Sequence, residues 1–198
     1  MAVAAMVEFV PALLTPGFSR SGRPLQPRGI VLHWTANLKQ GADAMANRNW
    51  FESWRGYKVS SHYIVDDRRI VGCIPESEIA FGAGRATQPL GLALFGPTPN
   101  NHAIHIEWCV NAGSNGGETY KNAVALCGDI LARYGWGVDR LLRHFDCTGK
   151  ICPAMFVTDE WARKMGFQQG AVAAWSQFRR DCVIATRAAE WSLRKQGR

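Results

Sequence analysis

The 198-residue sequence predicts an α/β domain: a central mixed β-sheet flanked by helices, with a C-terminal helical extension. Three observations predict it. Gly29 to Thr35 is a short apolar run with Ile30-Val31-Leu32 at its centre, the pattern of a buried strand. Ala103 to Val110 alternates like a second strand. Thr119 to Tyr134 places Tyr120, Val124, Cys127, Leu131 and Tyr134 at helical spacing, the signature of an amphipathic helix. Strand-type and helix-type segments interleave along the chain rather than separating into blocks, which favours α/β over all-α or all-β.

The elements follow in order. Met1 to Leu14 is apolar enough to suggest a signal peptide, but no Lys or Arg precedes Arg20 and Pro11 interrupts the run, so cytoplasmic synthesis without a clear signal is expected. Pro16, Gly17, Gly22, Pro24 and Pro27 make the following stretch irregular, so residues 1–28 read as a lead-in without regular structure. Asp43 to Trp54 reads as a helix with Met45, Trp50, Phe51 and Trp54 on one side. His62 to Asp66 and Arg69 to Pro75 read as a hairpin turning at Asp66-Asp67-Arg68. Gly82 to Asn101, rich in Gly and Pro, is expected to be a long surface loop lining a groove. Gly113 to Gly117 is a flexible break, and Leu141-Leu142 lead into the segment richest in chemistry. Beyond Gly166 and Gly170 a helix is expected whose apolar positions are Ala171, Trp175, Phe178, Cys182, Ala185 and Ala189. The expected division is 1–28, a catalytic unit over 29–160, and a basic helical extension over 161–198.

Composition narrows the function classes. No apolar run approaches the ~20 residues needed to span a bilayer, and no internal repeat is present. Cys73, Cys109 and Cys127 lie in apolar stretches and read as small buried hydrophobes rather than disulfide partners. Cys147 reads as loop packing. The net charge is +7, most of it between Glu160 and Arg198, which points to an anionic surface as partner. Charge alone leaves open whether that surface is nucleic acid or another polyanion.

The segment Arg143-His144-Phe145-Asp146-Cys147-Thr148-Gly149-Lys150-Ile151-Cys152-Pro153 carries the strongest signal. A neutral imidazole at His144 and a thiolate at Cys152 are donors that suit zinc, and His33, delivered at the end of the first buried strand, is the candidate third ligand. Three protein ligands leave a fourth position open, as a catalytic zinc requires and a structural one does not. Glu107, two residues beyond His105 on the same strand face, is the candidate general base. Lys150 is a candidate cation for developing negative charge, and Asp146 a candidate partner for the free N–H of a ligating histidine.

Taken together, strand-His33-Trp34-Thr35, Ser60-Ser61-His62-Tyr63-Ile64-Val65-Asp66, Ile104-His105-Ile106-Glu107 and the terminal His-x-Asp-x-Thr-Gly-Lys-x-Cys-Pro stretch resemble the zinc-dependent N-acetylmuramoyl-L-alanine amidases. That family includes phage endolysins and bacterial autolysins and is similar in fold to peptidoglycan recognition proteins. The resemblance covers roughly residues 25–157. It implies Zn²⁺ as cofactor, held by His33, His144 and Cys152, and bacterial peptidoglycan as substrate, cut between N-acetylmuramic acid and L-alanine. It assigns Glu107 and Lys150 to catalysis, and places His62, Trp34 and Thr148 on the substrate side.

The sequence departs from the family at three places. The position at which some branches carry a catalytic tyrosine is Ser61, which leaves the proton work to Glu107. The usual residue at 105 is small. Where relatives commonly carry an aromatic-His pair this chain has Phe81-Gly82-Ala83-Gly84. Rival readings are a non-catalytic wall-binding module of the same fold, which typically lacks the cysteine ligand, and a cytoplasmic muropeptide-recycling amidase. The basic tail favours the insoluble wall, reached after holin-type release, and anionic wall polymers as a second partner. Oligomerisation is left open.

Overall fold

The computed structural model describes residues 7–195, so the first part of the apolar start, residues 1–6, lies outside the described residues, as do 196–198. Six strands form one mixed sheet in the order β1-β4-β3-β5-β2-β6. They are β1 (Glu8–Pro11), β2 (Gly29–Trp34), β3 (Tyr63–Val65), β4 (Arg69–Gly72), β5 (Ala103–Trp108) and β6 (Leu141–Arg143). Only the β3–β4 hairpin is antiparallel; β1 pairs parallel to β4, β5 to β3, and β2 to both β5 and β6. This is the mixed α/β sheet expected from the sequence.

β2 and β5 are interior strands, almost wholly buried along their length. Ile30, Leu32, Ile104, Ile106 and Trp108 point to one side, into a core shared with α3 (Gly116–Tyr134) and α6 (Ala171–Lys195). Val31, His33, Ala103, His105 and Glu107 occupy the alternate positions and so share the opposite face. The face that carries the candidate site residues therefore follows the period-two pattern of two strands.

On the other side of the sheet α1 (Ala44–Ser53) buries Ala44 and Phe51 beside Ile64 and Val71. Asp43 caps its N-terminus, accepting from the Ala46 N–H at 2.8 Å. The hairpin turn is tied to it: Asp66 accepts from Arg68 and Arg69 N–H with one oxygen and from Ala44 N–H with the other. Of the aromatics expected on one face of α1, only Phe51 is buried, whereas Trp50 is exposed and stacks on Trp54 at 5.3 Å.

Three expectations need correction. The lead-in is not wholly irregular: β1 adds an edge strand, where Pro11, lacking an N–H, is tolerated at its end. The segment 82–101 is not a plain loop. It contains α2 (Pro89–Phe95) and a 3₁₀ turn at Pro99–Asn101, with Pro89 in the first turn of α2 and Gly96 ending it at positive φ. The run Leu90-Gly91-Leu92-Ala93-Leu94-Phe95 was masked by the surrounding glycines and prolines. Thirdly, the segment after β6 opens with a short helix, α4 (His144–Thr148), rather than a loop.

The chain closes with α5 (Asp159–Lys164) and α6. α6 packs along α3 so closely that a Cβ on Gly128 would lie 2.5 Å from that of Ala185. Its buried residues Ala174, Phe178 and Cys182 belong to the same core as Trp108 and Phe156. The helical extension expected after residue 160 is therefore a helix built into the main core.

Candidate active site

β2 carries His33 to the sheet edge, opposite Glu107 of β5 in the register. β6 ends where α4 begins, and that junction presents His144; the chain then turns through Gly149 and returns so that Phe145 N–H donates to the Cys152 carbonyl at 2.9 Å. His33, His144 and Cys152 meet, with one donor atom from each lying within 4.8 Å of the others. His33 Nδ1 is 2.9 Å from His144 Nδ1 and 3.9 Å from Cys152 Sγ.

The donor set suits one tetrahedral ion. Bonds of ordinary zinc length imply separations of about 3.3 Å between two imidazole nitrogens and about 3.6 Å between nitrogen and sulfur. The two spacings from His33 Nδ1, 2.9 and 3.9 Å, lie within a few tenths of an ångström of those. The ion-free set is also electrostatically strained in the sense a cation relieves. Burial, then the Glu107 carboxylate, pushes the Cys152 thiol up to about 12. Burial, then the neighbouring imidazoles and Lys150, holds His33 well below the usual imidazole value.

Glu107 sits beside this cluster with Oε2 shut off from solvent and without a hydrogen-bond partner. Burial raises its carboxyl to about 8, against the opposing pull of Lys150. A carboxyl poised near neutrality in a cleft is suited to proton transfer. Lys150 is exposed and, among the described residues, makes no ion pair, which leaves its charge available to the cleft.

A groove of about 520 Å³ passes over these groups. Its floor includes His33, Glu107, His144 and Cys152, and Trp34, Thr148 and Lys150 also line it. Trp34 is held edge-on against Trp161, ring centroids 4.8 Å apart. Phe81, Arg85 and Asn100 line it too, so the segment from Gly82 to Asn101 borders the groove as expected, whereas Tyr57 and Lys58, also in the lining, were passed over by sequence reading. Tyr57 is an exposed aromatic, and Lys58 Nζ lies 5.2 Å from the centre of the Phe81 ring. The signal available was an aromatic and a lysine placed just past the end of α1, a weak one without the fold.

Two assignments change. His62 does not reach the groove: it is fully buried, Nδ1 accepts from the His105 backbone N–H at 2.9 Å, and Nε2 lies 2.9 Å from the Glu78 carbonyl. It supports the floor from beneath rather than touching substrate. Asp146 does not serve a histidine either. Its carboxylate is clamped by Arg143, through the backbone N–H and two guanidinium nitrogens at 2.6–3.0 Å, and so fixes the β6–α4 junction that aims His144.

Burial also makes the metal-free fold acid-sensitive. His62 and His144 are pushed down to about 4 by desolvation, and His33 and His105 well below the usual value. For a group whose folded value is depressed, the stabilisation is complete above the unfolded value near 6.5 and is lost as pH falls toward the folded one. Glu107, with its raised value, opposes this over about 4.5 to 8 but is one group against four. Chelator-treated protein is therefore expected to lose urea stability steeply from pH 6.5 to 5. A midpoint unchanged across that interval would show that the imidazoles are not buried as neutral groups.

Comparison with known proteins decides the family. The profile described as N-acetylmuramoyl-L-alanine amidase matches residues 23–155. The chain belongs to the N-acetylmuramoyl-L-alanine amidase family. It is 35% identical over 149 residues to the N-acetylmuramoyl-L-alanine amidase CwlL of Bacillus licheniformis, covering 73% of this chain and 39% of that protein. A probable amidase of the same species is 36% identical over 137 residues, covering 67% of this chain and 38% of that protein. The chain thus spans about two fifths of the length of these relatives. Among solved structures, the catalytic domain of XlyA superposes with a TM-score of 0.70 at 26% identity, covering 89% of this chain and 99% of that one. A mutant endolysin from Bacillus subtilis gives 0.67 at 27% identity, covering 82% and 99%. The fold of the XlyA catalytic domain thus accounts for most of the chain.

Proposed function

We propose that this chain is a zinc-dependent amidase that hydrolyses the bond between N-acetylmuramic acid and the L-alanine of the peptidoglycan stem peptide. The observation that carries the reading is the convergence of His33, His144 and Cys152 on one point of the groove floor, beside Glu107. Zinc held there would supply an activated water and polarise the scissile carbonyl.

The remaining work falls to the chain. Glu107 takes the proton from the attacking water and returns it to the departing amine nitrogen, so that one carboxyl serves as base and then as acid. Lys150 offers a positive charge to the oxygen that becomes negative during attack. Trp34 and Thr148 flank the reacting bond, and the Tyr57–Phe81 wall, with its lysine and arginine, faces the rest of a sugar-peptide strand that carries carboxylates.

The printed names of an N-acetylmuramoyl-L-alanine amidase and an endolysin support a role in cleaving the cell wall; cytoplasmic synthesis and holin-type release are part of the proposal. No helix among the described residues is long and apolar enough to cross a membrane. Arg180, Arg187 and Arg194 on the exposed side of α6 are proposed contacts for anionic wall polymers. Elemental analysis together with amine release from purified sacculi tests the reading. One zinc per chain and chelator-sensitive release are expected; a protein that binds no zinc, or one that cuts sacculi at full rate without it, would overturn the assignment.

A further inference from the structure

We infer that His105 is a positioning residue for the metal site: its Nδ1 accepts the Nε2–H of His33 and so fixes the tautomer and ring plane in which His33 turns Nδ1 to the ion. This rests on the reading of His33 as a zinc ligand and goes one layer beyond it.

His33 Nε2 and His105 Nδ1 are 2.9 Å apart, and both rings are shut away from solvent. His33 Nδ1 is the nitrogen that faces His144 and Cys152. A neutral imidazole that offers the Nδ1 lone pair to a cation carries its proton on Nε2. Among the described residues that proton has one acceptor in reach, His105 Nδ1, so the proton of His105 must sit on its own Nε2. Ligating histidines commonly donate their second N–H to a carboxylate, a carbonyl or water. Here the acceptor is another imidazole.

The acceptor is itself held on three sides. The His105 backbone N–H donates to His62 Nδ1, and the His62 N–H donates to the His105 carbonyl at 3.0 Å. The two rings lie nearly parallel, 21° apart. From above, the ring occupies space that only a glycine leaves free: a Cβ on Gly82 would stand 2.5 Å from His105 Cγ and 2.6 Å from Nδ1. The two departures noted in the sequence, an imidazole at 105 and a glycine at 82, are thus one packing arrangement. Glycine at 82 makes room for the imidazole that supports His33.

The test compares His105→Leu with His105→Asn. Leucine fills the space without an acceptor, whereas asparagine places its side-chain oxygen near the position of Nδ1. Zinc affinity is read by chelator competition, with thermal unfolding of the metal-free proteins as the control on folding. His105→Leu is expected to weaken zinc binding about 10- to 100-fold and His105→Asn to stay within a few-fold of wild type. Equal affinity for wild type and His105→Leu, or equal losses in both variants, would overturn the proposal. If the leucine variant fails to fold, nitrogen-15 spectra of the zinc-loaded wild type decide. A protonated Nε2 and bare Nδ1 on His105 support the inference, and a protonated Nδ1 refutes it. Wild type that binds no zinc at all would instead refute the metal site itself, an outcome distinguishable from both.

Discussion

Glu107→Ala is expected to keep the fold and zinc and to lower turnover by about 10²-fold or more, the usual scale for loss of a general base. The carboxyl lies opposite His33 in the strand register, Oε2 is shut off from water, and no side chain spends its proton-accepting capacity. Ser61, where a tyrosine would offer a second route, is buried with its hydroxyl donating to the Tyr63 carbonyl. The isosteric Glu107→Gln separates chemistry from packing and should be as inactive as the alanine variant. It carries a second signature. Because burial raises the Glu107 carboxyl to about 8, ionising it costs the metal-free fold stability as pH rises from about 4.5 through 8. Glutamine has no such ionisation, so metal-free Glu107→Gln should gain stability over wild type above pH 8. Turnover within a few-fold of wild type, in either variant, would make Glu107 a structural residue.

The site was legible in the sequence to the extent that it lies at strand ends. Alternation along Ile104–Glu107 put His105 and Glu107 on one face before any fold was known, and the run ending at His33 was expected to deliver that side chain to the sheet edge; that His33 shares their face follows only from the parallel register of the two strands. His144 and Cys152 were recognisable by residue type. What escaped notice depends on tertiary packing. The acceptor role of His105 needs two strands in register, and the place of Tyr57 and Lys58 in the groove needs their segment to meet the separate one that carries Phe81. Asp146 was misassigned because spacing alone could not show that Arg143 reaches it first. His62 was misassigned because its two nitrogens are consumed by backbone groups distant in sequence.

Truncation after Phe167 is expected to give an insoluble or unfolded product, not a smaller working enzyme. It removes all of α6, and with it Ala174, Phe178 and Cys182 from the principal core. Phe178 alone meets Trp108, Tyr120, Phe156 and Trp175, with ring centroids 5.2–5.8 Å apart. Deleting one such buried ring costs roughly 3–5 kcal/mol, against a total stability of about 5–15 kcal/mol for a typical domain. Losing the whole helix also strips the cover from Gly128 and the α3 face it lies on. Phe178→Ala is the graded test: it should lower the unfolding free energy by about that single-ring amount while leaving the groove residues unchanged. A truncated protein that stays soluble, unfolds at the wild-type temperature and hydrolyses a small muropeptide would show that α6 is dispensable to the core. Wall retention is therefore better tested on the outer face. Replacing Arg180, Arg187 and Arg194 by glutamine leaves the buried side intact, so weaker, less salt-sensitive binding to sacculi, with unchanged cleavage of a soluble substrate, would assign the basic face of α6 to the wall.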